Sequence, residues 1–195
     1  MKNKKVLLAL CAVLLVAATV FGTLAYLTST DEVINTFTVG KVEITLDEAP
    51  VDENGQATTG ARVQANEYKL IPGRTYAKDP TVHVAAGSET CYVFVKVENG
   101  IADIEDINYT IADQLRDNGW ELLDGDVYYY VEAVTAGEAG TDLLVFNSFI
   151  IDGEVESEDL EKCAEATITV TAYAVQANGF TSAEDAWDTT FGADE

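Results

Sequence analysis

The strongest constraint on this chain is a hydrophobic period of two. In VGKVEITLDE, residues 39–48, Val39, Lys41, Glu43, Thr45 and Asp47 fall on one side, and Gly40, Val42, Ile44 and Leu46 on the other. A strand turns successive side chains to opposite faces, so this alternation, rich in β-branched residues, describes a half-buried strand. Strand-like runs return at residues 80–86, 91–98, 126–134 and 143–151, and the longest spans 166–176. Turn chemistry separates them. PVDENGQATTG at 50–60 is loop, Pro72-Gly73 suits the centre of a type II turn, Ala86-Gly87-Ser88 is a turn, and Asp124-Gly125 is a favoured hairpin dipeptide. Helical signals are brief, at 112–117 and 157–162. A C-terminal helix is expected from Ser182 to about Thr189, capped by Thr181 with Glu184 three residues later, its Trp187 packing on the sheet. Many short strands with Gly and Pro turns predict an all-β fold, an antiparallel two-sheet sandwich with short peripheral helices.

The N-terminus follows other rules. MKNKK carries three lysines and no acid, and residues 6–27 are apolar apart from Thr19 and Thr23. A basic start followed by a hydrophobic stretch is the layout of a secretory signal helix. The stretch is also long enough to cross a bilayer, which needs roughly 20 residues. Length favours a retained anchor, whereas the end of the segment favours cleavage. Thr23 and Ala25 are small residues at the two positions a signal peptidase reads, which places the cut between Ala25 and Tyr26. The domain division is then a signal at 1–25 and one domain at 26–195. Cleavage removes three lysines and takes the net charge from −23 to −26. Under either alternative the domain lies outside the cytoplasmic membrane, secreted or surface-associated.

The charge restricts partners. With 34 acidic and 11 basic residues, the chain suits neither nucleic acid nor anionic membrane surfaces, both of which need clustered Lys and Arg. Hydrophobic residues still make up 48 %, enough for a core. Cys11 would leave with the signal. Cys91 and Cys163, each read as opening a strand-like run, form one disulfide or stay as two thiols.

Catalytic constellations are sparse. The single histidine, His83, alternates with Val82 and Val84, which reads as a strand-face residue. It cannot supply a two-histidine zinc motif, and no nucleophile-elbow pattern accompanies it. No metal site, cofactor or catalytic residue is assigned. The loop Asp52-Glu53-Asn54-Gly55 resembles the middle of a calcium loop, but Pro50 and Ala61 stand where that loop needs its first and last ligands. Asn108-Tyr109-Thr110 is a glycosylation sequon. In a strand, Tyr128 and Tyr130 share one face and Tyr129 takes the other, so one of those faces is expected to be core.

Four stretches together resemble the TasA/camelysin family of exported matrix proteins of Gram-positive bacteria. They are the Gly22-Thr23-Leu24-Ala25 signal end, the segment from Phe37 through Gly40 to Leu46, the Leu70-x-Pro72-Gly73, Lys78-Asp79 and Gly87-Ser88 series, and the closing strand with its Phe180 and Trp187 tail. The likeness covers residues 1–98 and the C-terminus. It implies processing by a dedicated signal peptidase of the SipW type, a jelly-roll-like sandwich, and a non-enzymatic structural role at the cell surface or in a biofilm matrix. It also implies fibres formed when the N-terminal segment of one subunit completes a neighbour's sheet, giving a homo-oligomer or contacts with other matrix proteins. The donor here would be 26–38, in which Tyr26, Val33, Ile34, Asn35 and Phe37 are the pairing candidates. The same segment pairing within its own sheet is the other reading. Two further alternatives follow: a cell-surface metallopeptidase, a label camelysin has carried, and a membrane-anchored ligand-binding module.

Overall fold

The computed structural model describes residues 40–192. The chain divides into Met1–Val39 and Gly40–Glu195, and the second unit holds every element below. The expected signal, with Thr23, Ala25 and Tyr26, and the donor candidates Val33, Ile34, Asn35 and Phe37 lie outside the described residues.

The architecture is β-rich and antiparallel, with hydrogen bonds dividing it into three sheets rather than two. Strands β1 (Ile44–Asp47), β3 (Thr81–Val84) and β7 (Thr141–Leu144) form one sheet with β3 central. Strands β2 (Thr75–Ala77) and β8 (Ser148–Ile150) form a two-stranded ribbon. The largest sheet runs β5 (Trp120–Asp124), β6 (Val127–Tyr130), β4 (Cys91–Asn99), β9 (Ile168–Gln176). Three short helices sit around them, α1 (Ile111–Asp117), α2 (Ser157–Lys162) and α3 (Ala183–Thr190), with a 3-10 turn at Ala102–Ile104. No helix among the described residues is long and apolar enough to cross a membrane.

Strand β4 shows how the alternation makes the core. Cys91, Val93, Val95 and Val97 point into the main apolar cluster with Trp120, Phe146 and Phe149. From the opposite face, Phe94 meets Ala183 and Ala186 of α3, with Tyr129, Tyr173 and Trp187 around them. The Phe94 and Trp187 rings are 5.0 Å apart, so α3 lies on the outer face of the large sheet. The two faces of the Tyr128–Tyr130 run therefore both meet apolar clusters, Tyr128 and Tyr130 the main one and Tyr129 the second. Each fully buried Val or Phe contributes roughly 1.5–3 kcal/mol over leaving it in water.

Three sequence expectations shift. Residues 143–151 are not one strand. Strand β7 ends at Leu144 and β8 begins at Ser148, and the residues between them, with Val145 and Phe146 both fully buried, belong to no sheet ladder. Side chains take up the backbone groups that a ladder would have used there. The Gln114 carbonyl accepts from the amides of Asn147 (3.1 Å) and Ser148 (3.2 Å), and Asn118 donates to the Val145 carbonyl. Cys163 does not open a strand but closes α2. The last helix is capped by Ser182, whose hydroxyl accepts from the Asp185 amide, while the Asp185 carboxylate accepts from the Thr181 amide and hydroxyl. The capping pair is therefore one residue later than Thr181 and Glu184.

The calcium-like loop uses its acid on itself. Asp52 Oδ1 accepts from the amides of Asn54 (2.8 Å) and Gln56 (2.9 Å), and these bonds hold its carboxyl below the usual range. The turn places Gly55 at φ +71° with its Cα against Tyr76, a ring stacked on Phe149 at 5.0 Å. A Cβ on Gly55 would stand 2.3 Å from Tyr76 Cδ1. Gly55→Ala combines left-handed strain with overpacking, so chemical denaturation is expected to show a loss of about 2–4 kcal/mol.

Candidate functional site: an open strand edge and its groove

Strands β4 and β9 are the same length, yet among the described residues only β4 is hydrogen-bonded on both sides. The register pairs Cys91 with Gln176 through to Asn99 with Ile168. Bonds from the Ala177 amide to the Thr90 carbonyl and from the Gly100 amide to the Thr167 carbonyl fix which residues face β4. Antiparallel pairing alternates, so Thr169, Thr171, Tyr173 and Val175 direct their backbone groups to β4. Ile168, Val170, Ala172, Ala174 and Gln176 direct theirs to the open edge. No described strand pairs with that edge.

The side chains along β9 would suit a covered strand. Ile168, Val170, Ala172 and Ala174 pack against the main core, and Tyr173 and Val175 against the second cluster. Nevertheless no residue of β9 is fully buried, whereas β4 is buried over most of its length. Protein edges are normally blunted by lysines, prolines or bulges. Strand β9 has none of these along ITVTAYAVQ, while β5, at the sheet's other edge, carries a register irregularity between Leu122 and Asp124.

Beside this edge lies a groove of about 1060 Å³. One wall is β9 from Ile168 to Ala172 and the end of α2 with Leu160 and Cys163. The other is the end of β1, Leu46 to Glu48, with residues 63–68 and Leu70, and Ile101 and Phe149 also line it. Among the described residues the outer edge of β1 is bridged only at its end, where Glu48 and Val63 exchange backbone bonds at 2.8 Å.

A polar latch shapes the second wall. Glu48 is buried; it accepts from Lys78 Nζ at 2.6 Å and from Asn66 Nδ2 at 2.9 Å. Asn66 also donates to the Ala49 carbonyl and accepts from the Val51 amide, which ties the 48–66 excursion together. Asp79 adds a second tie, accepting from the Ala49 amide and from Arg62. The Tyr68 hydroxyl donates to the Ala77 carbonyl at 2.9 Å. Burial, and next the Glu48 charge, push the Tyr68 phenol well above its ordinary range.

The residues that carried the resemblance do not converge on one centre. Gly40 lies against Glu89, where a Cβ would come within 2.6 Å of its Cγ. Gly87, at φ +77°, makes the turn before β4, and the Ser88 hydroxyl accepts from the Glu43 amide at 3.2 Å. These three hold the start of β1. Pro72-Gly73 forms the expected tight turn, Gly73 at φ +71° and the Arg74 amide donating to the Ile71 carbonyl. Leu70 and Lys78 reach the groove, and Asp79 braces its rim through Ala49 and Arg62. Cys91 is buried under β4, Cys163 lines the groove, and both are free thiols. Burial raises the Cys91 thiol above its usual value, which disfavours the reactive thiolate.

Sequence reasoning missed Glu48, Asn66 and Tyr68, which shape the groove. The signal available was weak, since a carboxylate in a strand-like run reads as solvent-facing until its lysine is located 30 residues on. Among the described residues, no three His, Cys, Asp or Glu side chains converge as metal ligands. No family model matches this chain, and neither does any curated protein or solved structure.

Proposed function

We propose that this chain is a non-enzymatic, exported structural protein of the cell surface or biofilm matrix. In this reading the β9 edge and its groove receive an extended strand, the 26–38 segment of a neighbouring copy, and repetition of that contact builds a fibre. The single observation that carries it is the unblunted β9 edge beside a groove lined by both apolar and polar side chains. Strand addition joins unpaired edge amides and carbonyls to those of a donor, and pockets for alternate side chains set the register. A nine-residue edge spans roughly 30 Å at about 3.3 Å per residue, a length that 26–38 can cover in extended form. Within that segment Leu27, Val33 and Phe37 share one face, which suits a groove lined by Ile168, Val170 and Leu70. The three sheets are read as a jelly-roll-like sandwich, and the apolar N-terminus as a signal removed after Ala25.

The test is deletion of 26–38 from the secreted form. A folded monomer with unchanged circular dichroism and no fibres by electron microscopy is expected. Fibres that persist after the deletion would refute the donor assignment.

A further inference from the structure

The three-stranded sheet carries the chain's only histidine on its central strand, between two acids from its two edge strands. His83 Nδ1 is 2.7 Å from Asp142 Oδ1 on β7, and Nε2 is 2.9 Å from Asp47 Oδ1 on β1. An ionised carboxylate only accepts hydrogen bonds, so both contacts are satisfied only when both ring nitrogens carry a proton. A neutral ring donates to one acid and turns a lone pair on the other. The two acids are not equivalent. Asp47 also accepts from Arg62 Nε, and Arg62 reaches onward to Asp79 Oδ2 at 3.0 Å and to Thr81 Oγ1 at 3.0 Å. Among the described residues Asp142 has only the ring as partner, and its side chain is 73 % exposed. The charged groups around the ring, among the described residues, are thus Asp47 from β1, Asp142 from β7, and Arg62 with Asp79 behind it.

We infer that His83 is a pH-operated clamp, which ties β1 and β7 to β3 as an imidazolium and releases one of them when it loses a proton. Each edge strand has only four residues, so few ladder bonds compete with the loss of a side-chain tie. The neutral ring keeps its one proton for Asp47, the less exposed acid, while Asp142, open to water, is rehydrated at little cost, which makes β7 the strand set free. Partial burial works against the charged ring, but the hydrogen bonds to Asp142 and Asp47, with the attraction of both carboxylates, outweigh it and raise its pKa. The sign follows. A raised folded-state value means that the stabilisation is complete below about 6.5, the unfolded value, and is lost as pH rises through the folded one.

The experiment is a pH titration of the full chain by nuclear magnetic resonance. The single imidazole is followed together with amide-exchange protection factors, corrected for intrinsic exchange. The expected result is a His83 midpoint above 6.5, with both ring nitrogens protonated below it. Protection of the Thr141 and Leu143 amides, which face β3, should fall at least tenfold across that midpoint, while β4 and β9 stay unchanged. In His83→Gln the same amides should lose their pH dependence. A midpoint at or below 6.5, or a pH dependence that survives in His83→Gln, overturns the clamp. The wild-type titration decides the matter even if the variant folds poorly, and it is independent of whether β9 receives a strand.

Discussion

Ala172→Pro is expected to leave a folded monomer that no longer takes up a strand. Ala172 directs its N–H to the open side of β9, so losing it removes no bond to β4. Proline is tolerated in a sheet at such an edge position, and the extended conformation it imposes on Thr171 is the one that residue already has. A single net hydrogen bond is worth only about 0.5–1.5 kcal/mol. The proline ring also projects toward the incoming backbone and blocks the close approach that adjacent bonds require. Strand uptake should therefore fall by well over tenfold, since each 1.4 kcal/mol is a factor of ten. The control is Thr171→Pro, which points the same lesion at β4 and should unfold the sheet instead. Mixing sharpens the result. The variant lacking 26–38 keeps an acceptor without a donor, and Ala172→Pro keeps a donor without an acceptor. Together they should give a one-to-one complex by light scattering and nothing longer. Fibres of Ala172→Pro alone would place the contact somewhere other than β9.

Lys78→Ala should destabilise the fold strongly. The Lys78 and Glu48 side chains are 11 % and 5 % exposed, so removing the lysine strands a carboxylate inside the protein. Breaking a buried pair from one side costs about 3–5 kcal/mol. For a domain of this size each kcal/mol moves the midpoint by about 2–4 °C, so calorimetry should show a fall of roughly 6–20 °C. Replacing both partners, Glu48→Leu with Lys78→Met, removes the desolvation cost together with the attraction. That pair should recover most of the loss, because apolar substitutes for a buried ion pair are often neutral or stabilising. Equal damage in the single and double variants would show that the latch acts through Asn66 rather than through charge. The same substitutions reach the groove wall, so Lys78→Ala should weaken strand uptake as well as the fold.

Much of the scaffold was readable from local pattern. The alternation in CYVFVKV placed β4, Asp124-Gly125 placed the β5–β6 hairpin, and Pro72-Gly73 placed a turn whose glycine has the positive φ that the turn requires. Such features depend on residues within a few positions of one another, and backbone stereochemistry alone decides them. The run at 143–151 was not readable, because what divides it is Gln114, about 30 residues away, accepting from the amides of Asn147 and Ser148. Glu48 was equally silent, since a buried and an exposed carboxylate look alike until the lysine is in place.

The sequence by itself determined the β character, the turn positions and the acidic charge. It also set which side chains of β9 are apolar. Only the tertiary structure decided that β9 lies at the rim of its sheet, with one row of amides and carbonyls unpaired among the described residues, and that a groove runs beside it. Alternation specifies the faces of a strand but carries no information about its edges. Whether an edge is covered depends on which other strand arrives there, and that is settled by packing over the whole chain.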